Sequence, residues 1–172
     1  SVLKLDPENF TGLGFERVFQ LELQPGLNTV QQQFELKGVQ LWQTWDLGTP
    51  YLYRATLTLV SGDERWDQVE TVSGFRVFTV NNLIPYLNGE RLFLKGSNYL
   101  PPAFYLSKAG LETYENEIKL LKASHQNIVR CYKHIEKPEF YQAMDAAGIL
   151  VWQDFPLNTS RPLTHLTGAL QQ

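Results

Sequence analysis

Over the first half of the chain, apolar and polar side chains alternate with a period of two. Phe19, Leu21 and Leu23 interleave with Val18, Gln20, Glu22 and Gln24. Phe34 and Leu36 interleave with Gln33, Glu35 and Lys37, and Tyr53, Ala55, Leu57 and Leu59 with Arg54, Thr56 and Thr58. Phe75 and Val77 follow Gly74. Such alternation lays one face of a strand on a core and turns the other to water. Turn residues separate the runs at Pro25-Gly26, Gly48-Thr49-Pro50 and Ser61-Gly62-Asp63. The spacing predicts an antiparallel β-sandwich. A complete sandwich takes about 100 residues. Here the pattern stops near residue 82 and no clear first strand opens the chain, so we expect the N-terminal strands of the sandwich to be missing.

After residue 82 the period changes. Asn88-Gly89 lies between Pro85-Tyr86-Leu87 and Leu92-Phe93-Leu94, a hairpin signal. Leu111, Tyr114, Ile118 and Leu121 recur at helical spacing, with Ser107 as the expected cap. Residues 128–132 form a short β-rich run. Pro138 suits the first turn of a second helix, which Phe140, Met144 and Ala147 continue and Gly148 ends at its C′ position. Ile149 to Trp152 is an apolar run that delivers Gln153 and Asp154 at its end. With a first strand at Leu92 to Asn98, the order is β-α-β-α-β, which means a parallel sheet. The run 149–153 is then a strand buried on both faces. Two domains are expected, 1–82 and 83–172.

Composition narrows the partners. The 172 residues are 43% hydrophobic and 13% aromatic, enough for one good core or two small ones. The net charge is -3, with 15 basic and 18 acidic residues interspersed. No basic stripe points to nucleic acid, and no block of like charge to a tail. No apolar run approaches the roughly 20 residues of a membrane span, so no membrane partner is expected. Cys131 is the single cysteine and allows no internal disulfide. His125, His134 and His165 are not paired with Cys or His at ligand spacing, so no metal and no cofactor are expected. The chain starts with Ser and shows no signal-peptide order. Cytoplasmic and periplasmic or secreted locations both stay open.

The chemistry gathers at the C-terminal ends of the parallel strands, where α/β folds build sites. Asn98, Arg130 and Asp154 would share one rim, with Tyr99, Tyr132 and Trp152 beside them. An amide, a guanidinium fork, a carboxylate and flat aromatic faces suit a polyhydroxylated ligand. A phosphate fits less well, because no glycine-rich loop follows a strand. Each residue also has a purely structural reading. Asp154 could cap the strand end, Arg130 could be an internal ion-pair partner, and Asn98 could cap the turn before Pro101. Arg76 reads as structural, lying on a sandwich strand and tying the domains together. Trp42, Trp45, Tyr51 and Tyr53 read as core and domain-contact residues. Lys133 and His134 read as loop residues, and Glu136 as an acid favouring the following helix start through its dipole. Asn158-Thr159-Ser160 matches a glycosylation sequon, which matters only in a secreted eukaryotic protein.

Five ordered segments carry a resemblance: 41-LWQTWDLGTPYLY-53, 74-GFR-76, 88-NGERLFLKGSNY-99, 127-NIVRCYKH-134 and 139-EFYQAMDAAGILVWQDF-155. From about Phe10 to Pro156 they resemble family 2 glycoside hydrolases, which include β-galactosidases, β-glucuronidases and β-mannosidases. Trp152-Gln153-Asp154-Phe155 is most similar to the mannosidase branch. The chain departs from that branch at Tyr99, Ala103 and Tyr132-Lys133-His134. It departs from the galactosidases at Lys133, where their histidine stands one residue before His134.

The resemblance implies an immunoglobulin-like sandwich leading into a (β/α)8 barrel. It also implies a retaining mechanism on β-linked oligosaccharides or glycosides, with two glutamates about 5–5.5 Å apart. Neither glutamate is expected in this chain, because a barrel takes about 250 residues and no Asn-Glu pair follows residue 154. The resemblance therefore implies a fragment with no catalytic residue of its own, and with Asn98, Tyr99, Arg130, Trp152 and Asp154 as substrate-binding residues. Its open sheet edges are expected to favour self-association. Two other functions stay open. One is a free-standing carbohydrate-binding module using Trp42, Trp45 and nearby tyrosines. The other is a small complete α/β enzyme with Asp154 and Glu136 as its carboxylate pair, which would need a covered sheet that three strands do not supply.

Overall fold

The computed structural model describes residues 1–101 and 110–156. The chain opens with an antiparallel sheet of β1 (Val2–Pro7), β2 (Phe15–Val18), β3 (Tyr53–Ser61) and β4 (Glu64–Ser73), in the order β2-β1-β3-β4. Only β3 stands where the alternation placed a strand. Far from lacking a first strand, the described chain begins with one, and β1 is interior to the sheet, paired with β2 and β3 along its length. The alternation at 18–24 does not extend β2. The strand stops at Val18, and one further rung joins Phe19 to Ser1, whose backbones exchange bonds of 2.8 Å in both directions. Residues 33–37 are not a strand either, because nothing among the described residues pairs with them. The Phe34 ring instead lies against Phe15 and Phe19, centroids 5.9 and 6.1 Å away. β4 escaped notice because it is an edge strand exposed along nearly its whole length, so its residues carry no apolar rhythm.

A second antiparallel sheet joins β5 (Phe78–Asn81), β6 (Ile84–Leu87) and β7 (Glu90–Arg91). Phe75 makes only an isolated bridge to Leu41, and Arg76 lies on no strand. The β6–β7 turn is the expected Asn88-Gly89, with φ of 53° and 86°, values that a tight hairpin demands at both central residues. Its returning strand is Glu90–Arg91 rather than Leu92 to Leu94.

The third sheet is parallel, in the order β10-β9-β8, formed by β8 (Gly96–Tyr99), β9 (Ile128–Cys131) and β10 (Leu150–Gln153). α1 (Leu111–Ala123) and α2 (Pro138–Ala147) make the crossovers. α1 starts after Gly110, and Ser107 lies outside the described residues, as do Ala103, His165 and Asn158-Thr159-Ser160. α2 carries Pro138 in its first turn and ends at Gly148 in the left-handed conformation, as its sequence requires. The helices cover one face of the sheet, where Tyr99, Val129, Cys131 and Ile149 pack with Tyr114, Phe140, Ala143 and Met144. On the other face Leu150 joins Trp42, Leu52, Leu87 and Leu92 in a second cluster. β10 is not buried on both faces. It is the outer strand of its sheet, and Trp152 is 57% exposed. No helix among the described residues is long and apolar enough to cross a membrane.

Residues 41–49 bind these parts together. Trp42 is fully buried, and its Nε1 donates to Asp145 O at 2.8 Å. Trp45 Nε1 donates to Gln126 O at 2.7 Å, and the Trp45 N–H to Gly148 O at 2.9 Å. Arg76 sits 4.6 Å above the Trp42 ring and 3.8 Å from the Asp145 carboxylate. It ties the first half of the chain to α2, as the sequence suggests. Burial raises the Asp145 carboxyl above its usual range, and the Arg76 charge offsets part of this.

Fully buried Asn127 makes the other tie. Its Nδ2 donates to Asp46 Oδ2 at 3.1 Å and to Phe93 O at 3.0 Å, and its Oδ1 accepts the Lys95 N–H at 2.9 Å. Lys95 Nζ lies 2.7 Å from Asp46 Oδ2. Burial works to raise the Asp46 carboxyl, but hydrogen bonds from Lys95 and Asn127 and the Lys95 charge outweigh it and hold the group below its usual range.

Two substitutions check this account. A Cβ at Gly148 would sit 2.7 Å from Trp45 N, on a residue with φ of 73°. Gly148→Ala should therefore cost more than about 1 kcal/mol in urea unfolding. Lys95→Met should cost about 1 kcal/mol at neutral pH, discounted because Lys95 is partly exposed. The sign follows from the lowered Asp46: its contribution is full above the ordinary value of 3.8 and is lost as pH falls through the folded value. Unfolding curves of the two proteins should converge in acid.

Candidate functional site

Register places the rim residues. Asn98 stands opposite Arg130 across β8 and β9, and Arg130 opposite Trp152 across β9 and β10. In a parallel sheet such partners point to the same face, here the one turned away from the helices. Just past β10, Asp154 turns its carboxylate back, and Arg130 Nη2 donates to Asp154 Oδ2 at 2.7 Å. The Asp154 N–H is held by Cys131 O at 3.1 Å, which fixes the turn. The Arg130 guanidinium lies 5.3 Å from the Tyr132 ring centroid and 5.7 Å from that of Trp152. An open groove runs beside the pair, lined by Leu94, Gly96, Ser97, Asn98, Ile128, Arg130 and Trp152.

The groove has a distinct chemistry. Asp154 is mostly covered, with 19% of its side chain exposed, whereas Arg130 shows 42%. The Arg130 Nε is buried and has no hydrogen-bond partner among the described residues. The half-exposed guanidinium, an exposed amide at Asn98 and an exposed indole at Trp152 present donors, acceptors and a flat apolar face together. Such a set can hold a ring bearing several hydroxyls. Asn98, Arg130, Trp152 and Asp154 thus come together as the sequence predicts.

Tyr99 does not join them. One position past Asn98, it faces the helices, is 8% exposed, and gives its hydroxyl to Glu117 Oε2 in a short hydrogen bond. Burial first, and then the Glu117 carboxylate, push its phenol well above the usual range. Glu136 lies two residues before Pro138, the start of α2, and does more than face the helix dipole. Its side chain is fully buried, and it accepts the Tyr114 hydroxyl at 3.1 Å on Oε2 and contacts His134 Nε2 at 3.0 Å with Oε1. His134 is therefore more than a loop residue. Trp42 and Tyr53 are core, and Tyr51 and Tyr53 meet the Phe10 ring edge-on at 4.9 and 5.1 Å.

Sequence reasoning missed the polar layer behind the rim. Tyr141 donates its hydroxyl to Gln153 Oε1 at 2.6 Å, and Gln153 Nε2 donates to His134 O and Asp154 O, each at 2.6 Å. Burial, and then the Glu136 charge, raise Glu117 above its usual range despite the Tyr99 hydrogen bond. Burial likewise pushes the Cys131 thiol up to about 12, which leaves it unreactive. The one signal was Gln153, an amide ending an apolar run; nothing marked Glu117.

Comparison with known proteins places this arrangement. Residues 11–76 match the model of the glycosyl hydrolases family 2. The β-mannosidase B of Aspergillus clavatus is 30% identical over 132 residues, 71% of this chain and 16% of that protein. Among solved structures, the β-D-mannosidase of Dictyoglomus thermophilum is 29% identical at a TM-score of 0.62, over 68% of this chain and 16% of that one. The β-glucuronidase of Parabacteroides merdae, 22% identical, shares the fold at a TM-score of 0.71 over 90% of this chain and 19% of its own. This chain spans about a sixth to a fifth of the length of the relatives it matches. Sequence relatives and fold neighbours agree, and the chain belongs to the family 2 glycosyl hydrolases.

Proposed function

We propose that this chain is the part of a retaining exo-β-glycosidase that joins an immunoglobulin-like sandwich to the start of a (β/α)8 barrel, and that its rim binds the sugar. A β-mannoside is the favoured substrate, in line with the names of the relatives and with Trp152-Gln153-Asp154-Phe155. The observation that carries the reading is the Arg130–Asp154 pair at 2.7 Å, on one face with Asn98 and Trp152, at the C-terminal ends of three consecutive parallel strands. Barrel enzymes place their chemistry at that end. In this role Asp154 accepts hydrogen bonds from sugar hydroxyls, Arg130 holds its carboxylate in position, and Trp152 offers its face to the ring.

The other two readings lose their support. A binding platform of Trp42, Trp45 and the tyrosines would need those rings in water, yet Trp42 and Tyr53 are buried and both indole N–H groups are spent on backbone carbonyls. A carboxylate pair of Asp154 and Glu136 would need both groups in one cavity, yet Glu136 lies enclosed by Tyr114 and His134 on the helix side. Retention needs two carboxyl groups about 5–5.5 Å apart across the scissile bond. The groove supplies one, so the glutamates that cleave the bond belong to parts of the enzyme that this chain does not span.

Two outcomes follow. Purified as 172 residues, the chain should show no turnover of aryl β-mannosides or β-galactosides, while the longer enzyme that contains it turns over one of them; turnover by the chain alone would overturn the assignment. In the longer enzyme, Asp154→Asn should lower kcat/KM by about tenfold to a hundredfold, the loss of a charged hydrogen bond to substrate. Unchanged kinetics in that variant would remove Asp154 from the site.

A further inference from the structure

Two polar side chains follow one another at the end of β10 and leave in opposite directions. Asp154 turns to the groove and meets Arg130. Gln153 stands in register with Cys131, and Cys131 with Tyr99, so its amide belongs to the row that faces the helices. The contacts of that amide fix which end is which. Its Nε2 lies 2.6 Å from His134 O and 2.6 Å from Asp154 O. A peptide carbonyl can only accept, and a side-chain amide carries both of its hydrogens on nitrogen. Oε1 is left for the Tyr141 hydroxyl, which donates to it at 2.6 Å and accepts the Glu136 N–H at 3.1 Å. Both amide hydrogens are used, and the reverse orientation would set Oε1 against two carbonyl oxygens.

We propose that Gln153 is a positioning residue for the Asp154 carboxylate, clamping the turn after β10 to the loop after β9. One of the two carbonyls it joins belongs to Asp154 itself. The other belongs to a loop in which Lys133 has φ of 59°, a conformation uncommon for a residue with a side chain. The Asp154 N–H is held separately by Cys131 O at 3.1 Å. With its N–H bonded to β9 and its C=O to the amide, the peptide groups on both sides of the Asp154 Cα are fixed. The direction in which the side chain leaves is fixed with them, and it is the direction of Arg130.

Tyr141 anchors the clamp to the helix layer. It stands on α2, and its one hydroxyl serves Gln153 and the backbone of Glu136 together. The amide therefore acts from the side away from the groove, where it has no need to touch a sugar. Few side chains can take its place. Methionine fills the same space and donates nothing. An ionised glutamate brings only acceptors to two carbonyls. Asparagine is one methylene shorter and does not span both partners.

The consequence for sugar binding rests on the glycosidase reading, but the hold on Asp154 does not, and the experiment separates them. In the 172-residue chain, Gln153→Met should speed hydrogen exchange of the Asp154 amide by about tenfold, the loss of the amide's bonds. The Trp42 amide, bonded to Phe75 O at 2.8 Å, should exchange as before. Unchanged exchange at Asp154, or equal speeding at both amides, overturns the clamp. In the longer enzyme, Gln153→Met should lower kcat/KM by about tenfold, yet by less than about twofold when Asp154→Asn is already present. A residue that merely supports the fold would cost the same in both backgrounds, and that result overturns the positioning role. Should Gln153→Met fail to fold, Tyr141→Phe takes its place in both measurements. It removes only the hydroxyl that holds Oε1, and about threefold effects in the same pattern are expected; their absence overturns the proposal. Should the longer enzyme prove inactive on every β-glycoside, the functional reading falls and amide exchange still decides on the clamp.

Discussion

Two indole N–H groups have to find acceptors, and where they find them decides how the molecule is put together. Trp42 and Trp45 are too apolar to leave in water and too polar at Nε1 to bury unpaired. The acceptors are Asp145 O, in the last turn of α2, and Gln126 O, just beyond α1. The ends of helices leave carbonyls without partners in their own ladder. Asp145 O is such a carbonyl, shared between the Trp42 indole and the Gly148 N–H, whereas Gln126 O belongs to the loop that follows α1. Gly148 is part of the same bargain, since only a residue without Cβ lets the Trp45 backbone approach its carbonyl.

With α2 fixed in this way, β9 and β10 are placed, and the parity of β9 does the rest. Arg130 and Cys131 are neighbours on one strand and face opposite worlds. Arg130 looks out over the groove with Asn98 and Trp152 in its row, while Cys131 is sealed beneath the helices with Tyr99 beside it. The same alternation leaves one layer open to the groove and encloses the other. The enclosed layer is unusual in being polar. Tyr99, Glu117, Tyr114, Glu136, Tyr141 and Gln153 bond to one another across elements. A satisfied polar network of that kind specifies one arrangement of its members.

Much of this was legible where pattern and chemistry agree. Asn88-Gly89, Pro138 and Gly148 each announce a backbone geometry, and each adopts it. Helical spacing from Leu111 to Leu121 is what a helix lying on a sheet must show. The first sheet was harder to read because its strands do not all lie on a core. β4 faces water along nearly its whole length, and β1 mixes Lys4 and Asp6 with its apolar residues. By contrast, 33–37 alternates faithfully without a partner strand. Alternation records which face is apolar, and pairing needs a neighbour that a single segment cannot reveal. Asn98, Arg130 and Asp154 were legible because each stands within one residue of a strand's C-terminal end. Tyr99 was misplaced because one residue of register exchanges the two faces. The Glu136 pocket gave no sign at all, being assembled from α1, α2 and a loop.

The reach of the Trp42 bond has a bearing on how the chain acquires its shape. Its donor and acceptor are separated by 103 positions. A ribosome that has released the first sheet must still make both helices before the indole can be capped. Until then Trp42 and the apolar side of its loop are exposed on a nascent chain. Contacts of such separation are slow to form and leave sticky surface in the interval. The wait ends only when α2 completes its last turn.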